Sequence, residues 1–263
     1  MERQFEGIVL FVKPYRERDM LAKIATPDYG NLMFFIKGGQ STRHPLAAQL
    51  LPYSHNVYIG TLNKSGFSFL KEGQSIFLPK NLQVDLLLQA YATYFSQLVD
   101  GAKMLEAPAF GPLFDLYRQC LVKLDQGFEP AYLSQILELK MLHYYGVDFD
   151  WDHCLVCKSI KSPQDFSIGL GGVLCPDHYH QDPYRLNLLP KTLSLVKLYL
   201  KSPLDRIQSL SLSPSLVEEG DRLIGDIYDH YVGYLPKSKA YIKSLLDQDK
   251  AFQALLEKRN PTS

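Results

Sequence analysis

The sequence predicts an α+β multidomain chain: an N-terminal OB-type β-barrel followed by an α-helical domain with an inserted zinc-ribbon-like Cys cluster. Three observations predict it. Five short runs rich in β-branched and aromatic residues crowd into residues 4–78. From Leu87 onward, apolar residues recur at spacings of three and four. Between two such helical stretches, residues 147–182 hold three of the four cysteines and the only tryptophan.

The barrel strands come first. Residues 5–13 are rich in Phe, Ile, Val and Leu, and residues 20–26 follow the charged turn Arg16-Glu17-Arg18-Asp19. Pro27-Asp28-Tyr29-Gly30 has turn composition. Residues 31–37 form a third strand, and a polar loop over 38–45 follows. Residues 56–62 and 67–71 complete the set, with Asn63-Lys64-Ser65-Gly66 as a hairpin loop. Five strands in so short a span fit a small closed barrel of the OB type. Strand count alone fits an SH3-like barrel equally well.

After Pro79 the period changes. Leu87, Tyr91, Tyr94, Leu98, Ala102 and Leu105 share one helical face. Phe110, Leu113, Tyr117, Cys120 and Leu124 repeat the pattern, and Gly127 signals its end. Pro130 suits a first helical position, and Leu133, Leu137, Met141 and Tyr144 form a stripe that stops at Gly146. These three helices read as a bundle. Helices resume near Pro190 with Leu193, Val196 and Leu200. A longer one after Pro214 carries Val217, Ile224, Tyr228, Tyr231 and Leu235. A last helical stretch carries Tyr241, Leu245 and Phe252, and residues 260–263 read as a frayed tail. The expected division is a barrel over 1–79, a helical bundle over 80–150, the Cys-rich insertion over 151–182, and helices over 183–263 that complete the helical domain.

Charge is uneven. The chain has 28 basic and 28 acidic residues, so bulk charge argues against a polyanion partner. Residues 1–80 nevertheless hold 10 basic against 6 acidic side chains, residues 81–150 hold 4 against 9, and residues 183–263 hold 12 against 9. Basic ends around an acidic middle can localise a polyanion on a neutral protein. Residues 8–12 are too short for a signal sequence, and no apolar run reaches membrane-spanning length. The expectation is a cytoplasmic protein with no membrane contact, in which cysteines serve as thiols or metal ligands.

The sharpest motif is Cys154-Leu155-Val156-Cys157, then Cys175-Pro176-Asp177-His178 after 17 residues. Two residues between ligands let one tight turn present both donors to one ion, and a second such turn completes a tetrahedron. The spacing is that of a ribbon-type structural zinc site, and Gly171-Gly172 before the second turn suits the tight backbone there. Three thiolates and an imidazole make a closed, structural donor set. His180 and His153 are alternatives to His178 as the fourth ligand, and Asp177 or Asp152 could hydrogen-bond the ligands from outside. The plainer reading is a chance cluster of reduced cysteines. Cys120, on an apolar stripe, reads as a buried small hydrophobe.

The second feature is the loop 37–44, where Lys37 and Arg43 flank Gly-Gly-Gln-Ser-Thr. Loops and one sheet face of OB folds bind single strands, with cations for phosphates and rings for bases. Lys13, Arg16, Arg18 and Lys23 add charge, and Tyr15 adds a ring; the plainer reading of all of them is a solvated surface. Other motifs fail. Gly169-Leu170-Gly171-Gly172 lacks the strand–helix setting of a dinucleotide loop, and there is no phosphate-binding loop or nucleophile elbow. Asp148, Asp150 and Asp152 alternate with Phe149 and Trp151, as an exposed edge does, with no partner constellation for metal-dependent cleavage. No catalytic residue and no small-molecule substrate is expected.

An OB-like barrel, a helical bundle and an inserted Cys cluster, in that order, resemble the RecO family of bacterial DNA repair proteins. Gly7-Ile8-Val9-Leu10 followed by Tyr15-Arg16-Glu17-Arg18-Asp19 is similar to the family's opening strand and turn. Thr26 with Gly30, then Lys37-Gly38, resembles the next hairpin, and Phe128-Glu129-Pro130 with Glu138-Leu139-Lys140 and Gly146 resembles the helix before the finger. The resemblance covers most of residues 1–185. It implies a cytoplasmic, nucleoid-associated mediator of the RecF pathway that binds single- and double-stranded DNA and anneals complementary strands. With RecR, such a protein helps RecA load onto DNA coated by single-strand-binding protein, without catalysis. The chain departs from the family in the barrel loop, where Gly39-Gln40-Ser41-Thr42 intervene before Arg43, and at His178, where many members have Cys.

Strand annealing needs two phosphate backbones held together. A second basic region, Arg185, Lys191, Lys197, Lys201 and Arg206, is expected to hold the second strand. The runner-up reading is an OB and zinc-ribbon module that binds nucleic acid or protein in transcription or RNA metabolism.

Overall fold

The computed structural model describes residues 2–63, 65–102, 110–161 and 164–259. Lys64 of the expected hairpin loop, Leu105 of the first helical stripe and the tail 260–263 lie outside the described residues.

Strands β1 (Glu2–Tyr15), β2 (Asp19–Thr26), β3 (Gly30–Ile36), β4 (His55–Thr61) and β5 (Ser68–Phe77) close a barrel in the order β1-β2-β3-β5-β4. β1 is long enough to serve two neighbours. Its first half pairs with β4 and its second half with β2, and a register shift between Val9 and Phe11 marks the bend. β3 meets β5 in parallel at Phe34–Ser68 and Phe35–Phe69, while every other pairing is antiparallel. A simple meander would put β4 beside β3, so this seam decides for the OB order over the SH3-like one.

Alternation sorts the strand side chains. Phe5, Val9, Ala22, Ile24, Phe34, Ile36 and Tyr58 point inward, and Leu46 and Leu50 plug the barrel from the loop after β3. The intervening residues face outward. Some of these, Ile8, Leu10 and Ala25, join the core of the helical domain, which packs against that side.

The helices are α1 (Leu86–Gly101), α2 (Phe110–Asp125), α3 (Pro130–Tyr144), α4 (Pro190–Lys201), α5 (Pro214–Ile227) and α6 (Ser238–Arg259). Asp85 caps α1 by accepting the Leu88 N–H at 2.9 Å. α3, α4 and α5 each begin on proline, where the missing N–H costs nothing. α5 continues as a π-turn, Tyr228–Val232, which ends at Gly233, so Leu235 falls outside the helix expected to carry it.

α3 sits at the centre, against α1, α2, α4 and α5. It buries polar residues as well as apolar ones, which is why its apolar stripe is weak. Glu138, 1 % exposed, accepts from Tyr94 at 2.6 Å, from Ser134 at 3.0 Å and from Lys239 at 2.5 Å. A buried carboxylate needs such partners. Because α6 supplies Lys239, the C-terminal helices complete the same core as α1–α3.

Between α3 and α4 lies a two-stranded hairpin of β6 (Asp165–Ser167) and β7 (Gly172–Leu174). It is not a separate body: Trp151, Phe166 and Val173 belong to the helical core. Among the described residues, no helix is long and apolar enough to cross a membrane.

Candidate functional site

The hairpin builds a four-donor cluster from two turns. In the first turn Lys158 N–H donates to Cys154 O at 2.9 Å, and Leu155 N–H donates to Val173 O at 2.8 Å, which ties the turn to β7. The turn into β7 demands its glycines. Gly171 has φ +73, and a Cβ on Gly172 would come within 2.8 Å of the Leu155 side chain. Cys175 then opens a 3-10 turn, Pro176–Gln181, which swings His178 back. The donor atoms of Cys154, Cys157, Cys175 and His178 all lie within 4.8 Å of one another.

The spacing tests whether these residues fit a metal. A tetrahedral ion with metal–sulfur bonds of ~2.3 Å puts neighbouring sulfurs ~3.8 Å apart. Cys157 Sγ and Cys175 Sγ are 3.7 Å apart, and His178 Nδ1 is 3.8 Å from Cys154 Sγ and 3.3 Å from Cys175 Sγ. The electrostatics agree. Burial pushes the Cys154 thiol up, but the N–H groups of Cys157, Cys175 and Val156 outweigh it and bring the pKa to about 6. Cys175 moves the opposite way, raised by burial and by the neighbouring Cys157 and Cys154. Three thiols this close cannot all ionise without a cation among them. The cluster can therefore hold a metal ion.

The structure also chooses the fourth ligand. His180 is engaged with Gln181 at 2.9 Å and His153 with Asp150 at 3.0 Å, so His178 alone joins the cysteines. The expected outer carboxylates do not reach the ligands. Asp152 pairs with Lys201 at 2.7 Å and Asp177 with Lys161 at 2.8 Å; Asp177 offers Cys175 its backbone N–H instead. Asp148, Asp150 and Asp152 do not converge either. Asp148 pairs with His143 at 3.0 Å, so each acid has a partner of its own. Cys120 is fully buried on α2, as its apolar stripe predicts.

At the other end of the chain, two loops form one edge of the barrel. Gly38 N–H donates to Asp19 Oδ1 at 2.9 Å, and Gln40 N–H donates to Arg18 O at 3.1 Å. The Gln40 amide also donates to Arg16 O and Asp19 O, at 3.2 and 2.8 Å. These bonds hold the loop after β3 against the β1–β2 turn. Arg16, Arg18, Lys37 and Arg43 thus share that edge, with Lys13 on the adjoining outward face of β1. All five are exposed, and none has a carboxylate partner among the described residues. Lys23 stands apart. It is half-buried further down β2 and ion-paired to Asp100 of α1, so its charge joins barrel to helix.

Beside this edge lies a ring cluster that the sequence reading missed apart from Tyr15. Tyr15 and Phe35 have centroids 6.1 Å apart, Tyr15 and Phe67 5.9 Å, Phe35 and Phe67 6.2 Å, and Phe35 and Phe69 6.2 Å. The Arg16 guanidinium lies 5.2 Å from the Tyr15 centroid. The missed signal was alternation: with Phe34 and Ile36 inward, Phe35 must face out.

A family model described as Recombination protein O N terminal matches residues 1–78, and one described as Recombination protein O C terminal matches residues 83–240. The chain belongs to the RecO family. The DNA repair protein RecO of Enterococcus faecalis is 34% identical over 253 residues, which is 96% of this chain and 94% of that protein. That of Lactiplantibacillus plantarum is 34% identical over 93% of this chain and 95% of its own. That of Lactococcus lactis subsp. cremoris is 32% identical over 93% and 96%. Membership sets the chain among proteins of DNA repair and recombination. The N-terminal RecO match ends where the barrel ends, and the C-terminal match takes in α1 to α5 and the Cys–His cluster, stopping at the start of α6.

The second basic region expected to grip DNA in this RecO chain is largely spent on the fold. Arg185 lies 3.0 Å from Asp165 and stacks 4.2 Å from the Tyr179 centroid. Lys197 donates to Gln164 at 2.7 Å, and Lys201 pairs with Asp152. These three fasten the hairpin to its surroundings. Lys191 and Arg206 remain exposed without a carboxylate partner among the described residues. Opposite charge within reach competes with phosphate for Arg185, Lys197 and Lys201, which leaves Lys191 and Arg206 as the free cations of this region.

Proposed function

We propose that this chain is a recombination mediator. It binds single- and double-stranded DNA at the barrel edge and anneals complementary strands. With RecR, it assists RecA in loading onto strands coated by single-strand-binding protein, and it catalyses no reaction of its own. The observation that carries this reading is a set of five cations without carboxylate partners among the described residues, Arg16, Arg18, Lys37 and Arg43 at two hydrogen-bonded loops and Lys13 on the adjoining face of β1, on an OB barrel of the RecO family. Free cations on adjoining loops are what phosphates need, because each contact releases a condensed counterion.

The metal is zinc, and its role is structural. Three thiolates and an imidazole close a tetrahedron and leave no position for a reactant. When bound, the ion supplies the cross-link between two turns that have little apolar core of their own: Cys154, Leu174 and Cys175 are their fully buried members. The protein would work in the bacterial cytoplasm at the nucleoid.

The test is annealing of complementary oligonucleotides coated with single-strand-binding protein, with no nucleotide added. Acceleration with intact strands is the expected result. Cut strands would overturn the non-catalytic part, and folded protein that neither binds nor accelerates would overturn the mediator reading. Elemental analysis of the purified chain should find one zinc per molecule.

A further inference from the structure

We infer that Tyr15, Phe35, Phe67 and Phe69 form a base-stacking platform that takes single-stranded DNA and rejects the duplex; the inference rests on the DNA-binding reading above and gives it a mode. Phe35 and Phe69 are partners across the parallel seam of β3 and β5. Phe67 comes from the segment just before β5, and Tyr15 from the end of β1. The four rings are contiguous and lie on the outside of the barrel. Phe69 is 47 % exposed. Tyr15, Phe35 and Phe67 are half-buried; leaving these rings partly in water forgoes part of the gain from burying them, and here the patch sits beside positive charge. Lys13 shares the rings' outward face, since Lys13 pairs with Leu21 and Leu21 with Phe35. Lys37 follows Phe35 by two residues, and Arg16 leans over Tyr15. The complementary occupant is flat, apolar on its faces and anionic along its edge, which describes a nucleotide strand.

Ring spacing selects the form of that strand. Neighbouring centroids are 5.9 to 6.2 Å apart, whereas stacked bases rise only ~3.4 Å per nucleotide. Bases seated on neighbouring rings are therefore unstacked from each other. A duplex cannot do this without melting, because each base face is already covered by the next pair. A single strand opens at little cost. Stacking also uses base faces and leaves the Watson–Crick edges free. A strand held in this way stays competent to pair, which annealing requires.

The experiment is equilibrium binding of a labelled single strand and its duplex to the full chain, over roughly 50–200 mM salt. The ring variants are Phe69→Leu and Phe35→Leu, which keep apolar bulk, and their melting temperatures report folding. The edge variant is Lys37→Ala with Arg43→Ala. Each ring variant should weaken single-strand binding about ten-fold, within the ~1–3 kcal/mol per base that stacking contributes, and leave duplex affinity and salt slope unchanged. The edge variant should instead flatten the salt dependence by ~0.7 per lost phosphate contact. Unchanged single-strand affinity in folded ring variants, with the edge variant impaired, overturns the platform and leaves the DNA-binding reading standing. Equal losses on single strand and duplex overturn the selectivity. No change in ring or edge variants overturns both readings. Tighter binding of the matching RNA than of DNA overturns the assignment to a DNA strand.

Discussion

The barrel edge and the stretch from Arg185 to Arg206 carry five cations each, yet the fold leaves all five free at the edge and ties down three in the later stretch. At the edge, Lys13, Arg16, Arg18, Lys37 and Arg43 face water, and none is ion-paired to a carboxylate among the described residues. In the later stretch, Arg185, Lys197 and Lys201 are bound to Asp165, Gln164 and Asp152 of the segment that carries the Cys–His cluster. A count of charges along the chain cannot tell these cases apart. The difference is whether the tertiary fold brings a carboxylate within a few ångströms. A paired cation is part of the scaffold, whereas an unpaired one is available to a ligand.

The largest expected effect sharpens this contrast from the scaffold side. Removing the metal with a chelator, or replacing Cys154 with Ser, should release residues 150–187 to rapid hydrogen exchange while the barrel stays protected. Structural zinc sites of this type are worth ~10–16 kcal/mol of folding energy. If exchange rose in the barrel to the same degree, the segment and the barrel would be one cooperative unit.

Next comes Arg185→Ala. It leaves the Asp165 carboxylate, 5 % exposed, without its counter-charge. The loss should be about 2 kcal/mol in urea unfolding. Asp165 keeps the N–H groups of Phe166, Asn187 and Leu188, so the cost stays below that of stripping a buried ion bare. DNA affinity should not move. A loss of affinity without a loss of stability would place Arg185 with the free cations.

The edge should behave in the reverse way. Replacing Lys37 and Arg43 together with Ala should reduce duplex affinity about ten-fold near physiological salt and flatten its log–log salt slope by about 1.8. Urea unfolding should change by no more than about 0.5 kcal/mol. The smallest effect is that of Lys23→Ala. Its ion pair with Asp100 is partly solvated, so up to about 1 kcal/mol of stability should be lost, with the salt slope intact. A flatter slope in Lys23→Ala would return Lys23 to the DNA set from which its pairing removes it.

Much of this architecture could be read along the chain because the signals are local. The five strands appear where β-branched and aromatic runs predict them, α3 starts on Pro130 as expected of a first helical position, and α4 and α5 start on Pro190 and Pro214, close to where the apolar spacing places them. The two turns of the donor cluster declare themselves by the spacing of Cys154, Cys157, Cys175 and His178. The aromatic platform was half legible. Alternation would have turned Phe35 outward from the inward Phe34, but nothing local says that Phe67 and Phe69 lie beside it.

By itself, then, the sequence determined the element order, the insertion and the three cysteine donors, since periodicity, turn chemistry and ligand spacing act within a few residues. Only the tertiary structure decided the rest. It closed the barrel through a parallel β3–β5 seam, chose His178 over His180 and His153, and separated the free cations from the paired ones. Each of these is a distance between residues far apart in the chain. Hydrogen bonds and ion pairs depend on that distance, and a linear sequence does not contain it.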